Sequence, residues 1–422
     1  MPYWFNDPAL KTLVPLAGAS AVLGLSAQFN MPHIVMGANV LAEQSALGAG
    51  IADTLAAIRP TRRAFLVTDN VARRYAEGVA SLFQHKGFAT ETWDKAVPEA
   101  PMESVFECAQ AMKRFEPDTV IAVGGGSVID NAKAAWILYE RPDITDLGLI
   151  SPLTPLMLRK KAILVAIPTT SGTGSECTGA SVLSETATHR KVPISNGELL
   201  PDYAILVPAF AMGMPPKLTA GTGMDALSHA MDNVMSPTTS DFADAFSLRA
   251  IRLIFNYLPR AYRDGTEHEA RYKMHIAATM AGVAFGNGGV TLTHSFGHTV
   301  GKMYNVHHGI AVGMFIPYAL QFYAPVSDKY MDMCEALHIR GKTKEAALAG
   351  LVKKVRTFMT GLDVPLALKD LGISRADFER DLEKLTLYSF EDPSALLSCR
   401  PVSMAQCEKV LRYAYDGKDI DF

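Results

Sequence analysis

Two kinds of hydrophobic rhythm divide this chain. Up to about residue 207, short apolar runs rich in β-branched residues alternate with longer amphipathic stretches. The runs 63-RAFLVTD-69, 118-DTVIAVGGG-126 and 161-KAILVAIPTT-170 read as strands, and the stretches 71–86 and 127–140 read as the helices between them. Strands that are apolar throughout, end in Gly, Asp or Thr and feed helices predict a parallel α/β sheet, whose ligands bind where the strands end. Beyond Pro208 the period becomes helical, as in 241-DFADAFSLRAIRLIFNYLPRAY-262 and 344-KEAALAGLVKKVRTFMTGL-362, with no convincing strand pattern. The expected organisation is an N-terminal extension over 1–30, an α/β dinucleotide-binding domain over 31–207 and an all-α domain over 208–422. Leu13 to Leu25 is apolar and rich in small residues but has only Lys11 as a basic flank and contains Pro15. It is expected to be a packing or oligomerisation helix rather than a signal peptide.

Composition narrows the class. At 422 residues, 49% of them hydrophobic, the chain exceeds what one core usually serves, in agreement with two domains. Forty basic against forty-three acidic residues give a net charge of -3, which provides no footprint for nucleic acid or an anionic membrane and leaves small-molecule chemistry. No stretch reaches the roughly 18–20 apolar residues of a membrane span. Five cysteines, odd in number and without CxxC spacing, argue against a disulfide framework or a thiolate zinc site and fit a reducing cytoplasm.

Candidate chemistry appears first at the strand ends. Gly124-Gly125-Gly126-Ser127 joins an apolar strand to a helix carrying Asp130 and Lys133, so the backbone can approach a pyrophosphate and the helix offers free N–H groups. An ordinary tight turn is the bland alternative, and the loop is not a GxGxxG fingerprint. The next strand ends in Thr169-Thr170-Ser171-Gly172-Thr173-Gly174-Ser175-Glu176, whose hydroxyls suit ribose and amide groups. Asp69 ends a third strand, where a carboxylate accepts from a ribose 2′-OH and repels a 2′-phosphate, favouring NAD over NADP; the alternative is a helix-capping aspartate.

The helical half carries a second chemistry. Asp225 and His229 are spaced i, i+4, as are His294 and His298, and His308 follows. On helices each pair shares a face, so the five predict a site of four metal ligands with a spare histidine beside it. His307 adjoins His308 and would point elsewhere. An Asp/His set without cysteine suits Fe²⁺ or Zn²⁺.

Together the motifs 124-GGGSVID-130, 168-PTTSGTGSE-176, 221-GTGMDALSHAMD-232 and 294-HSFGHTVGKMYNVHHG-309 resemble those of the iron-containing (group III) alcohol dehydrogenases, of the dehydroquinate synthase-like fold, over residues 30–400. The resemblance implies Asp225, His229, His294 and His308 as metal ligands, Fe²⁺ being the family ion with Zn²⁺ as alternative, and His298 as the non-ligand histidine, a candidate proton relay. It places Asp69 at the adenosine ribose, Gly125, Gly126, Ser127 and Asp130 at the pyrophosphate, and Thr169, Thr170, Thr173, Thr178 and Lys191 at further cofactor contacts. Departures are Pro98-Glu99-Ala100-Pro101 where the family has Pro-Asn-Pro, Phe296-Gly297 in place of Met-Ala, and His307 in place of Pro.

The activity so implied is reversible hydride transfer between a small primary alcohol and NAD, giving an aldehyde, by a cytoplasmic homodimer or higher homo-oligomer. A hydroxyacid–oxoacid transhydrogenase, a polyol dehydrogenase and a non-catalytic metal- or nucleotide-binding protein are the alternatives. The segment 285-FGNGGVTLTHSFGH-298 is expected to run along the substrate pocket. Its glycines leave room there and Phe285, Val290, Leu292 and Phe296 offer neutral apolar surface, unless the glycines serve helix packing.

Overall fold

The computed structural model describes residues 3–9, 11–12, 28–37, 40–41, 44–45, 48–186 and 190–422. The Leu13–Leu25 segment lies outside them. The chain divides into two compact units, Met1–Trp4 with Asn30–Gly213 and Phe5–Phe29 with Met214–Phe422. The division therefore falls beyond residue 207, because the turn Pro208–Ala211 packs back on the first unit: Phe210 stacks on Tyr75 at 4.3 Å.

In the first unit the strands are β1 (His33–Met36), β2 (Gln44–Ser45), β3 (Gly48–Ala49), β4 (Arg63–Val67), β5 (Ala89–Trp93), β6 (Thr119–Gly124), β7 (Ile163–Pro168), β8 (Ala180–Glu185), β9 (Arg190–Ser195) and β10 (Tyr203–Leu206). Six of them form one parallel sheet in the order β1-β10-β7-β6-β4-β5; β2 and β3 pair as a short hairpin, and β8 and β9 form an antiparallel ribbon. The helices are α1 (Ile51–Ile58), α2 (Arg73–His85), α3 (Met102–Phe115) and α4 (Gly126–Glu140). Alternation along the strands sends Phe65, Val67, Val120, Ala122, Leu164 and Ala166 into one core and Ala64, Leu66, Ile121, Val123, Val165 and Ile167 into the other. Both faces are thus covered, which is why β6 and β7 are buried at every position and read as continuous apolar runs. Their register pairs Gly124 with Pro168. The two loops that leave these strands consequently start side by side, with Thr169 N–H donating to Gly124 O at 2.9 Å.

The second unit is helical: α5 (Pro216–Met235), α6 (Asp241–Arg263), α7 (His268–Gly288), α8 (Leu292–Met303), α9 (His308–Tyr323), α10 (Tyr330–Ala336), α11 (Lys344–Thr360), α12 (Arg375–Glu391) and α13 (Met404–Asp416). Side-chain caps start several of them: Ser240, Thr343, Ser374 and Ser403 each accept from a backbone N–H of the first turn. Helix α5 is buried from Thr219 to Met235 and so presents no face to solvent there, as expected of the central helix of a bundle. Its apolar residues pack with those of α6, α7 and α9 into a single core around Met224, Leu227, Leu258 and Phe315. Because α5 is enclosed, the polar groups it carries must find partners among the helices around it.

Candidate metal centre and nucleotide loops

Asp225 and His229 project from α5, His294 and His298 from α8, and His308 is the first residue of α9. Asp225 Oδ1 faces three imidazoles, with His308 Nε2 at 3.2 Å, His229 Nε2 at 3.6 Å and His294 Nε2 at 3.9 Å. Donors about 2.0–2.1 Å from a common ion at tetrahedral angles lie about 3.4 Å apart, so this spacing is that of a ligand set. Asp225, His229 and His294 are nearly solvent-free, each offering an atom within 4.8 Å of the others, and His308 completes the group from a half-exposed position. Asp225 Oδ1 and His294 Nε2 are buried with no hydrogen-bond partner. Two orphaned acceptors of this kind are costly unless a cation lies between them, so the residues fit a divalent metal.

Electrostatics prepares the ligands. Burial alone would raise the Asp225 carboxyl, but the imidazoles of His229, His308 and His294 outweigh it and hold it well below the usual carboxylate range. Burial lowers His229 to about 3, against the pull of Asp225, so this ring is neutral and presents a lone pair. The His229 ring is sandwiched between Phe285, at 4.0 Å, and His294, at 4.7 Å.

Two carboxylates absent from the sequence-based site stand behind these rings. Asp232, two turns along α5 from Asp225, accepts from His294 Nδ1 at 3.0 Å, Thr293 Oγ1 at 2.6 Å, Thr291 Oγ1 at 2.7 Å and Thr291 N at 2.8 Å. A carboxylate only accepts, so His294 carries its proton on Nδ1 and turns the lone pair of Nε2 toward Asp225. Asp392 accepts from His298 Nδ1 at 2.9 Å. His298 makes no such approach to Asp225; its ring stacks on His308 at 5.2 Å. The i, i+7 spacing of Asp225 and Asp232 signals a shared helix face, whereas Asp392, ninety-four positions from His298, has no local sequence signal.

In the first unit the glycine loop and the threonine loop interlock. A Cβ on Gly126 would lie 2.7 Å from Thr173 Cγ2, and one on Gly125 would lie 3.3 Å from Thr170 Cγ2. Asp130 spends both oxygens inside the protein, on Ser175 Oγ at 2.6 Å and Val182 N at 3.0 Å, and so pins the threonine loop to α4. Lys133, fully buried, donates to the carbonyls of Ser175, Thr178 and Ala180 at 2.6–2.8 Å and also approaches the Thr178 hydroxyl at 3.4 Å. Burial lowers its pKa to about 8 in spite of Asp130 and Glu176. Lys191 pairs with Glu99 at 3.3 Å, and Glu99 N–H donates to Ser127 Oγ at 3.0 Å, which ties the 98–101 segment to the glycine loop. Glu99 and Ala100 both have positive φ, 67° and 43°. Asp69 Oδ1 accepts from Val71 N and Ala72 N at 2.9 and 2.7 Å, the capping role, while Oδ2 makes no hydrogen bond among the described residues.

Much of the segment 285–298 packs into the helical core instead of lining a pocket, contrary to the sequence-based expectation. Leu292 and Phe296 are 1% exposed in the helical core, where Phe296 stacks on Phe315 at 5.1 Å. Cβ atoms on Gly288, Gly289 and Gly297 would meet Asn233, Leu397 and Val312 at 2.0–2.5 Å, so these glycines serve close packing. Phe285 and Val290 stay half-buried.

Glycine- and threonine-rich loops at parallel strand ends and a buried Asp/His cluster on a helical bundle fit one class, a nucleotide-dependent metalloenzyme. Residues 39–208 match the family described as iron-containing alcohol dehydrogenase, and 219–415 the C-terminal part of the Fe-containing alcohol dehydrogenase family. The NADPH-dependent butanol dehydrogenase of Clostridium saccharobutylicum is 34% identical over 349 residues, covering 82% of this chain and 89% of that enzyme. The NAD-dependent methanol dehydrogenase of Bacillus methanolicus is 31% identical over 360 residues, 84% of this chain and 92% of that one. The chain spans between 39% and 44% of the longer aldehyde-alcohol dehydrogenases it also matches. The solved iron-containing alcohol dehydrogenase of Thermococcus thioreducens has a TM-score of 0.82 at 26% identity, covering 93% of this chain and all of that one. The chain belongs to the iron-containing alcohol dehydrogenase family and is a metal-dependent, NAD(P)-dependent alcohol dehydrogenase.

Proposed function

We propose that this enzyme interconverts small uncharged primary alcohols and their aldehydes, that Asp225, His229, His294 and His308 hold its metal, Fe²⁺ with Zn²⁺ as alternative, and that NAD is the preferred nucleotide. The observation that carries the reading is Asp225 Oδ1 facing three imidazole Nε2 atoms at 3.2–3.9 Å, with Oδ1 and His294 Nε2 otherwise unpartnered. When bound, the metal lowers the pKa of an alcohol hydroxyl and the nucleotide takes the hydride.

The chain's own residues do the rest. Asp225 contributes the negative charge of the ligand set, and the three neutral imidazoles add donors without further charge. His298, outside the ligand set, is free at Nε2 to take the hydroxyl proton. Gly125, Gly126 and Ser127 offer the pyrophosphate a backbone cradle at the start of α4, held in shape by Asp130 and Lys133, with Thr169, Thr170, Thr173, Thr178 and Lys191 grouped around it. Asp69 Oδ2 is open to a ribose hydroxyl, which supports NAD even though a relative is described as NADPH-dependent. Phe285, stacked on His229, and Val290 offer a substrate apolar surface, and the butanol and methanol named for two relatives agree with that.

The reading includes a homo-oligomer in the cytoplasm. Five free thiols support a reducing compartment, and among the described residues no helix is long and apolar enough to cross a membrane.

Steady-state kinetics of the Fe²⁺-loaded enzyme test the function, using ethanol to hexanol and 4-hydroxybutyrate with NAD or NADP. A rise in kcat/KM of about fourfold per added CH₂, from about 0.8 kcal/mol each, is expected, with NAD preferred. Faster turnover of the hydroxyacid than of butanol refutes the neutral pocket, and faster turnover with NADP refutes the nucleotide assignment.

A further inference from the structure

We propose that Asp392 is a positioning residue for His298: it fixes which nitrogen of that ring takes the substrate proton. The inference rests on the proton role given to His298 above. Asp392 closes α12 and opens the short turn Pro393–Leu397. Its two oxygens have separate tasks, Oδ1 accepting from Ser394 N at 2.9 Å and Oδ2 accepting from His298 Nδ1 at 2.9 Å. The first bond holds the carboxylate in place, and the second reads the ring.

A carboxylate cannot donate, so Nδ1 carries the hydrogen and Nε2 is left with a lone pair. Nε2 has no hydrogen-bond partner among the described residues. The ring plane is fixed separately by stacking on His308, 18° from parallel at 5.2 Å, and an edge contact with His294 at 5.7 Å. The spacing between the partners is fixed as well. Three residues before each of them, Ser295 Oγ donates to Ser389 O at 2.6 Å, a buried tie between α8 and α12. Both side chains are nearly enclosed, His298 at 13% and Asp392 at 12% exposure.

In alcohol oxidation the hydroxyl O–H bond breaks and its proton goes to His298 Nε2. With the nucleotide bound, the carbon–hydrogen bonding pair would leave as hydride to the oxidised cofactor as the C=O bond forms. The ring then carries a proton on each nitrogen, and Asp392 faces the resulting imidazolium. An amide at 392 could donate to Nδ1 instead, leaving the hydrogen on Nε2 and no acceptor for the substrate proton.

The test is a double-mutant cycle on the metal-loaded enzyme with Asp392→Asn, His298→Ala and the pair, reading kcat, KM, metal content and thermal stability. Asp392→Asn is expected to lower kcat by about 10- to 100-fold, with KM, metal content and Tm near wild type. Asp392→Glu, which keeps a carboxylate, should retain more kcat than the Asn variant. In the His298→Ala background Asp392→Asn should have no further effect, and added imidazole should restore part of the rate to both His298→Ala enzymes. An equal loss in both backgrounds, or an Asn variant with wild-type kcat, overturns the inference while leaving the proton role of His298 standing. A His298→Ala enzyme with wild-type kcat overturns that role and the inference together.

Discussion

Gly309 lies beside His308, proposed above as a metal ligand, at the crossing of α9 over α5, where the two backbones come closer than any side chain allows. A Cβ at 309 would sit 1.9 Å from Gly221 O, 2.7 Å from Gly221 C and 2.9 Å from the Cβ of Asp225. The obstructing atoms are mainly backbone, so no rotamer change relieves the clash; ordinary contact begins near 3.4 Å, and the helices must part by about 1.5 Å. Overpacking of this kind costs about 1–3 kcal/mol, and a clash against backbone belongs at the upper end. For a unit of about 200 residues, about 3 kcal/mol corresponds to a fall in Tm of about 6–12 °C. The same displacement draws His308 from its 3.2 Å approach to Asp225, and a loss of metal affinity of at least about 10- to 100-fold follows. Gly309→Ala is therefore expected to lower both Tm and bound metal, measured by calorimetry and elemental analysis. The control is Gly78→Ala in α2, where nothing lies within 4 Å of the new Cβ, expected to stabilise by about 0.5–1 kcal/mol. A Gly309→Ala protein with wild-type Tm and full metal occupancy refutes the reasoning.

Asp232→Asn frees the His294 ring to adopt the other tautomer and should weaken metal binding by about 10- to 100-fold, read by competition with a chelating dye; unchanged affinity contradicts the assignment. Asp69→Gly removes the open carboxylate oxygen and the cap on Val71 and Ala72. It should shift the NAD/NADP ratio of kcat/KM toward NADP at a cost of only about 0.3 kcal/mol in stability, since glycine is itself tolerated at a cap, and an unaltered ratio rules Asp69 out. His275, 1% exposed in α7, has its pKa lowered by burial from 6.5 to about 4. The unfolded chain takes up that proton first, so stability is full above pH 6.5 and falls, by on the order of 3 kcal/mol, as pH drops toward 4. His275→Gln should flatten denaturant-midpoint profiles in that window, and identical profiles would refute the assignment.

The strands legible in the sequence were β4, β6 and β7, because the interior of a doubly covered sheet demands apolar residues at every position. Edge strands carry no such demand: 89-ATETW-93 is mostly exposed and alternates poorly, and the other edge strand, β1, is only four residues long and partly exposed; β10 is interior and apolar but too short, at four residues, to stand out. Helical spacing made the Asp225/His229 and His294/His298 pairs visible, since i, i+4 is a local property. What fixes the orientation of those rings is not local. Asp392 reaches His298 across ninety-four positions, and Lys133 finds its carbonyls more than forty residues away. Gly288, Gly289 and Gly297 look alike whether they line a pocket or admit a neighbouring chain, and only the positions of Asn233, Leu397 and Val312 decide between the two.

The central claim is that Asp225 and its three imidazoles hold the metal. Its most direct measurement is the iron stoichiometry of anaerobically Fe²⁺-loaded protein, wild type against Asp225→Ala, after exhaustive dialysis. The account predicts close to one ion per chain in the wild type and near none in the variant, whereas full occupancy in Asp225→Ala would contradict it.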